Sequence, residues 1–415
     1  MSPPDSFEEV DWAERTGAGR RPSRRAAGVV ASALALGAAF AYDYVAVPDD
    51  ERLVPEMAGA GLPGWDVTGI DWLFLASVLA VWWYLLYPLA ADRRLARYYW
   101  RRVRRSRRAV LGLAGVCVFY AVGIAGPFAL DLLREFTGVT AAQGPRGVAP
   151  LQPPLGFAVS TSVTNGICVG EVVDGMCHGS LAHPLGTTEG LRDVLVVTVE
   201  GAQSAMQVAT VVAVLSAPIG IAVGVTAAFA GGRVDALLMR YVDLQLVVPP
   251  FFVYLFLQVF VGRGFVLLVV VFGLLDWGSL ARLVRSDALS KAELGYVLAA
   301  EDAGSGSLPT IRRHLLPNVS NTVVTGVSLL MPTVILVEVT LAFLQLSSPT
   351  ETSWGNLISG ANVLGAGTVT IDGFDPTVWW TEAVPALALV CTVVAFGALG
   401  DALRDVLDPR TEADR

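Results

Sequence analysis

The sequence predicts an all-α protein that crosses a membrane several times. Of its 415 residues, 54% are apolar and only 16% are charged, whereas soluble domains average about 45–50% and about 25%. The apolar residues fall into long runs, and a helix needs about 20 such residues to cross a bilayer. The eight predicted spans are 26–47, 72–91, 109–130, 201–232, 244–262, 264–281, 319–346 and 383–400.

The first two predicted spans, within residues 26–91, follow a charged tail at 1–25. Arginines precede the first span, and residues 39–41 (Ala-Phe-Ala) resemble the cleavage site of a signal peptide. Two interpretations of this span stay open, a retained helix or a cleaved signal. Its removal would leave the orientation of everything after Trp72 unchanged.

Residues 92–108 form the densest basic segment, with nine arginines. If the N-terminus lies inside, 24 of the 29 arginine and lysine residues lie in inside segments and five lie outside. The positive-inside rule therefore predicts that both termini and this segment are cytoplasmic. We expect the arginines to lie beside anionic membrane lipid. A net charge of −8 argues against binding of nucleic acid.

The long connection at 131–193 lies outside the cell in this topology. It contains Cys168 and Cys177, and an oxidising exterior permits a disulfide between them. The other two cysteines, Cys117 and Cys391, fall inside apolar runs, where we expect them to act as small packing residues.

The chain carries no motif for catalysis or for ATP binding. Its only lysine, Lys291, lies outside any GxxxxGK[ST] loop. The three histidines, His178, His183 and His314, are not spaced as metal ligands, and no nucleophile and base are paired at membrane depth. We expect no catalytic site, no metal site and no cofactor in this chain.

The longest inside connection, residues 286–318, has the composition of two short helices. Residues 286–303 favour a helix, Gly304 and Gly306 permit a turn with positive φ, and Pro309 suits the first turn of a second helix. Pattern alone leaves two interpretations open, a hairpin on the membrane surface or a docking site for a soluble partner.

Several motifs of this sequence occur together in one known family. The connection reads YVxAAxxxG from Tyr296 to Gly304 and HLLPN from His314 to Asn318, which resembles the EAA loop of ABC importer permeases. The resemblance covers residues 108–410 and is to the DppC/OppC-like branch of dipeptide, oligopeptide and nickel importers. The other matching blocks are His183–Thr187 (HPLGT), Leu191–Leu195 (LRDVL), Gly231–Asp235 (GGRVD), Met239–Asp243 (MRYVD), Pro249–Pro250, Ala281–Arg285 (ARLVR), Ser353–Asn356 (SWGN) and Gly400–Arg410.

The resemblance implies a six-helix ABC importer permease core with cytoplasmic termini. The two N-terminal helices are not part of the family pattern and are expected to be an addition. The implied organisation is a tail (1–25), an additional pair of transmembrane helices (26–91), a basic cytoplasmic segment (92–108), the permease domain (109–410) with its coupling loop (286–318), and a second tail (411–415).

The resemblance also implies that the EAA loop inserts into a cleft of an ATPase subunit. The usual glutamate of the family's triplet is Leu298 here, and Glu301, three residues further along the same helix face, is our candidate substitute. The residues expected to couple the chain to the ATPase are Tyr296, Ala299, Ala300, Glu301, Gly304, Leu316 and Pro317.

The implied partners are a second DppB/OppB-like permease, two ABC ATPase subunits that bind ATP and Mg²⁺, and an extracytoplasmic binding protein. We expect the complex in the plasma membrane of a prokaryote, with peptides as the first candidate substrate and nickel or sugars behind them. The alternative is a self-contained channel or an ion-driven transporter. That class predicts inverted repeats, which this sequence does not display.

Two carboxylates, Asp276 and Glu338, interrupt predicted spans. An ionised carboxylate at mid-bilayer costs about 2.5–3.5 kcal/mol or more, so each must face protein or water. One interpretation places them on the translocation path, where they would attract a cation or a peptide's amino group. The other is a protonated or hydrogen-bonded carboxylate between helices, which family resemblance favours for Glu338.

Overall fold

The computed structural model describes residues 24–47, 67–137, 149–292, 294, 306–347, 351–359, 361–363, 369–371 and 378–407. These residues are mostly helical, which confirms the predicted all-α class. The helices are α1 (Arg24–Ala46), α2 (Gly69–Ala91), α3 (Arg93–Val103), α4 (Arg107–Thr137), α5 (Val194–Ala230), α6 (Gly232–Val247), α7 (Pro250–Val261), α8 (Phe265–Leu275), α9 (Gly278–Ala292), α10 (Leu316–Phe343, preceded by helical turns at Ser307–Thr310 and Ile311–Leu315), α11 (Trp354–Ile358) and α12 (Trp380–Leu407), and the strands are β1 (Ala158–Ser160), β2 (Val172–Val173), β3 (Met176–His178), β4 (Ala361–Val363) and β5 (Val369–Ile371).

The apolar helices are long enough to make this a multi-pass membrane protein. Within the described residues, seven spans have the length and composition to cross a membrane, and the bent pair α6–α7 would be an eighth. The α8 and α9 helices count together as one of the seven. The predicted polytopic architecture is therefore confirmed.

The prediction of one straight span at 244–262 is wrong. The structure has two helices there, α6 and α7, which meet at 68°. Val248 has extended backbone (φ −92°, ψ 103°), because the ring of Pro249 disfavours a helical residue before it. Pro250 then opens α7, since the first position of a helix needs no N–H donor.

Two other predicted spans also have different limits. The span predicted to begin at residue 201 starts at Val194, because the Asp193 carboxylate caps α5 by accepting a 2.8 Å hydrogen bond from the Leu195 N–H. The predicted span at 264–281 is interrupted where Asp276 follows the last residue of α8. Asp276 therefore lies at a helix end and not inside a continuous helix.

The second half of the 286–318 connection is not the separate short helix predicted from Pro309. The turn that contains Pro309 continues through a wider π-helical turn directly into α10. The Leu316 N–H donates to the Ile311 carbonyl, five residues back, and this widening relieves the clash that the ring of Pro317 would otherwise cause. A continuous helix therefore leads from the connection into the core.

Helix α5 is at the centre of the fold. It packs on α8 and α10 in one apolar cluster, on α4, α10, α11 and α12 in a second, and on α9 and the start of α10 in a third. Representative buried residues are Val208, Phe272 and Leu341 in the first, Phe119, Met206 and Phe396 in the second, and Val225, Val284 and Leu315 in the third.

The two N-terminal helices, α1 and α2, pack against each other. The Trp83 ring lies over Gly28, where an added Cβ would come within 2.1 Å of the ring, and Trp83 Nε1 donates to Ser32 Oγ at 2.9 Å. Trp72 Nε1 donates to Asp43 Oδ2 at 2.8 Å. The charge that interrupts the first predicted span therefore has a partner on the second.

Helix α2 is also joined to α5 and α8. Ile70 is buried in the cluster shared with α5 and α8. The neighbouring Asp71, only 7% exposed, accepts a 2.6 Å hydrogen bond from Gln207 Nε2 of α5. Its other oxygen accepts from the Thr68 N–H and hydroxyl at 2.9 and 2.7 Å.

Candidate functional site

The predicted coupling loop connects α9 to the helical turns before α10. Of the seven residues predicted to couple the chain to the ATPase, the structure describes two, Leu316 and Pro317. Both lie exposed in the first turn of α10. The other predicted coupling residues, Tyr296, Ala299, Ala300, Glu301 and Gly304, lie outside the described residues.

Lys291 holds the two ends of this loop together. Its Nζ donates to Asp287 Oδ2 at 2.7 Å and also to the backbone carbonyl of Asn318 in α10. The Thr322 hydroxyl donates to the same Asp287 oxygen at 2.6 Å. The last turns of α9 are therefore bonded to the first two turns of α10.

Apolar packing supports the same junction from within. Leu315, in the turn directly before α10, and Val319, in the first turn of α10, are fully buried against Val284 and Ala288 of α9. Val225 of α5 closes the cluster from the other side. Since interiors packed in this way move as units, the ends of the loop are fixed to the central helix.

Two ion pairs join α6 to α9. Arg285 donates through Nε and Nη2 to the two carboxylate oxygens of Asp235, at 2.5 Å each, with only 29% and 20% of these side chains exposed. Such two-pronged pairing fixes orientation as well as distance. Arg282 pairs with Asp243 in a more exposed position, 51% and 53%. We call α6, α9 and the first turns of α10 the coupling frame.

At the other end of α5, the connection at 149–193 is bonded to α5 and α12. His183 Nδ1 lies 2.9 Å from Asp193 Oδ2, the carboxylate that also caps α5. The Trp380 Nε1 of α12 donates to the Thr187 carbonyl at 3.2 Å. Hydrogen bonds of the HPLGT and LRDVL motifs therefore hold this connection against α5 and α12.

A three-stranded antiparallel sheet, in the order β1-β3-β2, lies within this connection. Cys177 of β3 is fully buried and forms a disulfide with Cys168, with the two Cα atoms 5.6 Å apart. The structure therefore contains the cysteine pairing considered from the sequence. Cys117 and Cys391 are free and exposed on their helices, so they are not the buried packing residues that we expected.

A polar cluster joins α5 to the segment before α11. Arg192 forms an ion pair with Glu200, and the Thr352 hydroxyl donates to the same Glu200 oxygen at 3.0 Å. Desolvation raises the pKa of the neighbouring Glu351, and the negative charge of Asp71 raises it further. The charge of Asp71 in α2 therefore contributes to the raised pKa of Glu351.

Helix α11 buries Trp354 against α5. The ring is 2% exposed, its Nε1 donates to the Thr198 carbonyl at 2.8 Å, and Gly201 makes room for it. Beside this site, Glu338 is 1% exposed. It lies near the Ser353 hydroxyl, but neither carboxyl oxygen makes a hydrogen bond of good geometry within the described residues.

Comparison with known proteins identifies the kind of membrane protein that carries these features. The family described as "binding-protein-dependent transport system inner membrane component" matches residues 220–413. A putative peptide permease protein of Brucella suis is 37% identical over 234 residues, which cover 56% of this chain and 75% of that protein. This chain belongs to that permease family.

Two further relatives of this permease come from Bacillus subtilis. The dipeptide transport system permease protein DppC is 28% identical over 316 residues, covering 75% of this chain and 84% of the relative. The oligopeptide transport system permease protein OppC is 30% identical over 231 residues, covering 55% and 72%. The resemblance found in the sequence motifs is therefore confirmed, and the permease is a multi-pass protein of a prokaryotic plasma membrane.

The two carboxylates predicted for the path of the permease have different surroundings. Glu338, on α10, is almost fully buried and lies near Ser353, the residue before α11. Asp276 is partly buried at the end of α8 and makes no salt bridge within the described part of the chain. A role on the path remains a prediction for both.

Three polar partnerships of the permease were not predicted from its sequence. Asp235 and Arg285 each belong to a recognised motif, but nothing in the spacing says that they pair. The link between Asp71 and Gln207 carries no motif at all. The ion pair of Lys291 could have been predicted, because Asp287 lies four residues earlier, a spacing typical of ion pairs on one helix. Lys291 is also the only lysine of the sequence.

Proposed function

We propose that this permease forms half of the path through which an ATP-driven importer moves di- or oligopeptides into the cell. Two separate ATPase subunits bind ATP and Mg²⁺, a second related permease completes the path, and an external binding protein delivers the substrate. Peptides are the substrate class because relatives that share much of this chain are named as peptide, dipeptide and oligopeptide permeases.

The observation that carries the proposal is the coupling frame. The loop expected to meet the ATPase starts and ends on helices that are bonded to each other by Lys291 and to α6 by Arg285. A push on the loop therefore moves the frame as one body. Rigid-body movement of packed helices is an established way to carry a local change to a distant site.

Helix α10 extends this movement across the membrane. It runs without a break from Leu316 beside the loop to Phe343, about 40 Å at 1.5 Å per residue. Glu338 lies near its far end, next to Trp354 and the cluster that joins α5 to α11. Movement of the loop can therefore reach the opposite side of the permease.

Uptake of a radiolabelled dipeptide tests the substrate and the dependence on ATP. The complete set of transporter genes is expressed in cells that lack other peptide importers, with or without this chain. We expect ATP-dependent uptake only when the chain is present. Uptake that does not change on its removal, for any di- or oligopeptide tested, would contradict the proposal.

A separate experiment tests the coupling. We expect Glu301→Ala to reduce the amount of ATPase that co-purifies with the permease. Glu171→Ala, an exposed carboxylate in the sheet-bearing connection, is the matched control and should leave the amount unchanged. Equal recovery of the ATPase with both variants would exclude Glu301 from coupling. Flux through liposomes that contain this chain alone would favour a self-contained channel instead.

A further inference from the structure

Helix α3, in the basic segment between α2 and α4, has one face that is fastened to the protein. Ala96, Tyr99 and Val103 lie on this face at helical spacing, and all three are at least partly buried. Val103 packs with Ala109 and Ala402. The Tyr99 hydroxyl lies 3.5 Å from an oxygen of Asn321 in α10, one turn beyond the coupling loop.

The opposite face of α3 and the turn after it carry arginine. Five arginines and Tyr98 occupy positions i, i+3, i+4, i+7, i+8 and i+11, with the tyrosine at i+4, so they follow one side of the helix. Their side chains line an open crevice of about 440 Å³, and none of the described residues that line it is a carboxylate. The lining residues are Arg94, Arg97, Tyr98, Arg101, Arg102 and Arg105.

The connections of α3 place this crevice at the surface of the membrane. A single residue, Asp92, separates α3 from the apolar helix α2, and three residues separate it from the apolar helix α4. Its 11 residues span about 16 Å, so both ends lie at the same membrane surface. The exposed rings of Tyr98 and Trp100 are of the type enriched at membrane–water interfaces.

We propose that the arginine crevice of α3 binds the phosphate-bearing headgroup of an anionic membrane phospholipid. Guanidinium groups match phosphate oxygens in two-pronged hydrogen bonds, and basic pockets beside spanning helices are suited to such headgroups. The bilayer is the source of the phosphate because α3 is held at its surface from both ends. The bound headgroup lies on the face of α3 opposite to the one that packs on the rest of the protein.

Native mass spectrometry of the full chain in a neutral detergent tests this assignment. The protein is titrated with phosphatidylglycerol, with zwitterionic phosphatidylcholine, and with soluble glycerol phosphate. The crevice variant Arg94→Gln/Arg101→Gln is compared with Arg107→Gln/Arg108→Gln, which removes the same charge from exposed positions outside the crevice lining. Helical content by circular dichroism checks that both variants fold.

We expect the wild type to bind phosphatidylglycerol at least about tenfold more tightly than phosphatidylcholine, since each nearby arginine adds attraction to an anionic lipid. The crevice variant should lose about tenfold or more, and the control variant about twofold or less. Equal losses in the two variants would show a diffuse charge effect and overturn the site. Binding of glycerol phosphate as tight as that of the lipid would assign a soluble anion instead, and this comparison needs only the wild type.

Discussion

The side-chain amide of Gln207 in α5 donates a 2.6 Å hydrogen bond to the buried carboxylate of Asp71 in α2. Asp71 lies outside the region that matches the permease family, residues 220–413, and outside the permease domain implied by the motifs. The hydrogen bond therefore ties α2 to the central helix α5. Helix α1 is bonded to α2 in turn, so the N-terminal pair is packed on the rest of the fold through α2.

Replacement of Gln207 with leucine should lower the free energy of unfolding by about 1–2 kcal/mol, because it leaves one oxygen of the buried Asp71 carboxylate unpaired. Thermal unfolding in detergent measures the change. Ser77→Ala is the control: Ser77 is buried in α2, but its hydroxyl bonds only to Leu73 of its own helix among the contacts described. Equal loss in both variants would mean that the link between the helices contributes nothing.

The contact between Gly201 and Trp354 should tolerate no added methyl group. A Cβ at Gly201 would lie 2.4 Å from the Trp354 ring, so we expect Gly201→Ala to displace the ring and cost about 1–3 kcal/mol. Gly397→Ala is the matched control, because Gly397 lies in helix α12 with no atom within 4 Å of an added Cβ. It should be neutral or stabilising by up to about 1 kcal/mol. Melting temperatures of the two variants in the same detergent decide between these outcomes.

The two ion pairs between α6 and α9 should differ in their contribution to the free energy of unfolding and to peptide uptake. Arg285→Gln removes a two-pronged and partly buried pair with Asp235, and we expect a loss of about 1–2 kcal/mol. Arg282→Gln removes an exposed pair and should cost no more than about 1 kcal/mol. Arg285→Gln should also reduce peptide uptake by the assembled transporter more than Arg282→Gln. The opposite ranking in uptake would exclude the Asp235 pair from coupling.

The disulfide between Cys168 and Cys177 predicts a simple labelling pattern. An alkylating reagent added to the denatured protein should modify two cysteines, Cys117 and Cys391, without reductant and all four with it. Mass spectrometry reads the difference directly. The pair Cys168→Ser/Cys177→Ser should destabilise the sheet-bearing connection by about 2–3 kcal/mol. Modification of four cysteines before reduction would contradict the pairing.

The raised pKa of Glu351 gives stability a pH dependence of known sign. The fold favours the protonated carboxyl, so the folded protein holds this proton at pH values where the unfolded chain has lost it. The free energy of unfolding therefore falls as pH rises from the ordinary glutamate pKa, about 4.3, to the higher value in the fold.

Glu351→Gln should remove this dependence, because glutamine does not ionise. We expect its melting temperature to match the wild type near pH 4 and to exceed it near pH 7, where the wild type carries the buried charge. Glu171→Gln, at an exposed site, serves as the control. A difference from the wild type that stays constant with pH would show that Glu351 does not titrate differently in the fold.

The polytopic all-α class and the family could be predicted from the sequence because both rest on local signals. Apolar run length identifies a membrane helix, and motifs such as HPLGT and SWGN stand in fixed order. The bend between α6 and α7 was also encoded locally, in Pro249 and Pro250. It was missed because a count of uncharged residues ignores the backbone effect of proline.

The coupling frame could not be predicted because its bonds join residues that are distant in the chain. Arg285 and Asp235 are 50 residues apart, and Asp71 and Gln207 are 136 apart. Their pairing depends on which faces of α6, α9, α2 and α5 meet, and neither composition nor periodicity determines that. Glu338 shows the same limit, since its enclosure depends on where α11 packs.

The solitary lysine offers a spectroscopic handle on the junction beside the coupling loop. Reductive methylation with ¹³C-formaldehyde would attach methyl groups only to Lys291 and to a free N-terminal amine, so the NMR spectrum would contain very few signals to assign. The dimethylated amine keeps its positive charge but has only one N–H, so it retains the attraction to Asp287 and can donate one of the two hydrogen bonds of the native side chain. If the permease is labelled before assembly, the chemical shift would report whether the surroundings of Lys291 change when nucleotide is added to the transporter, without a single engineered residue.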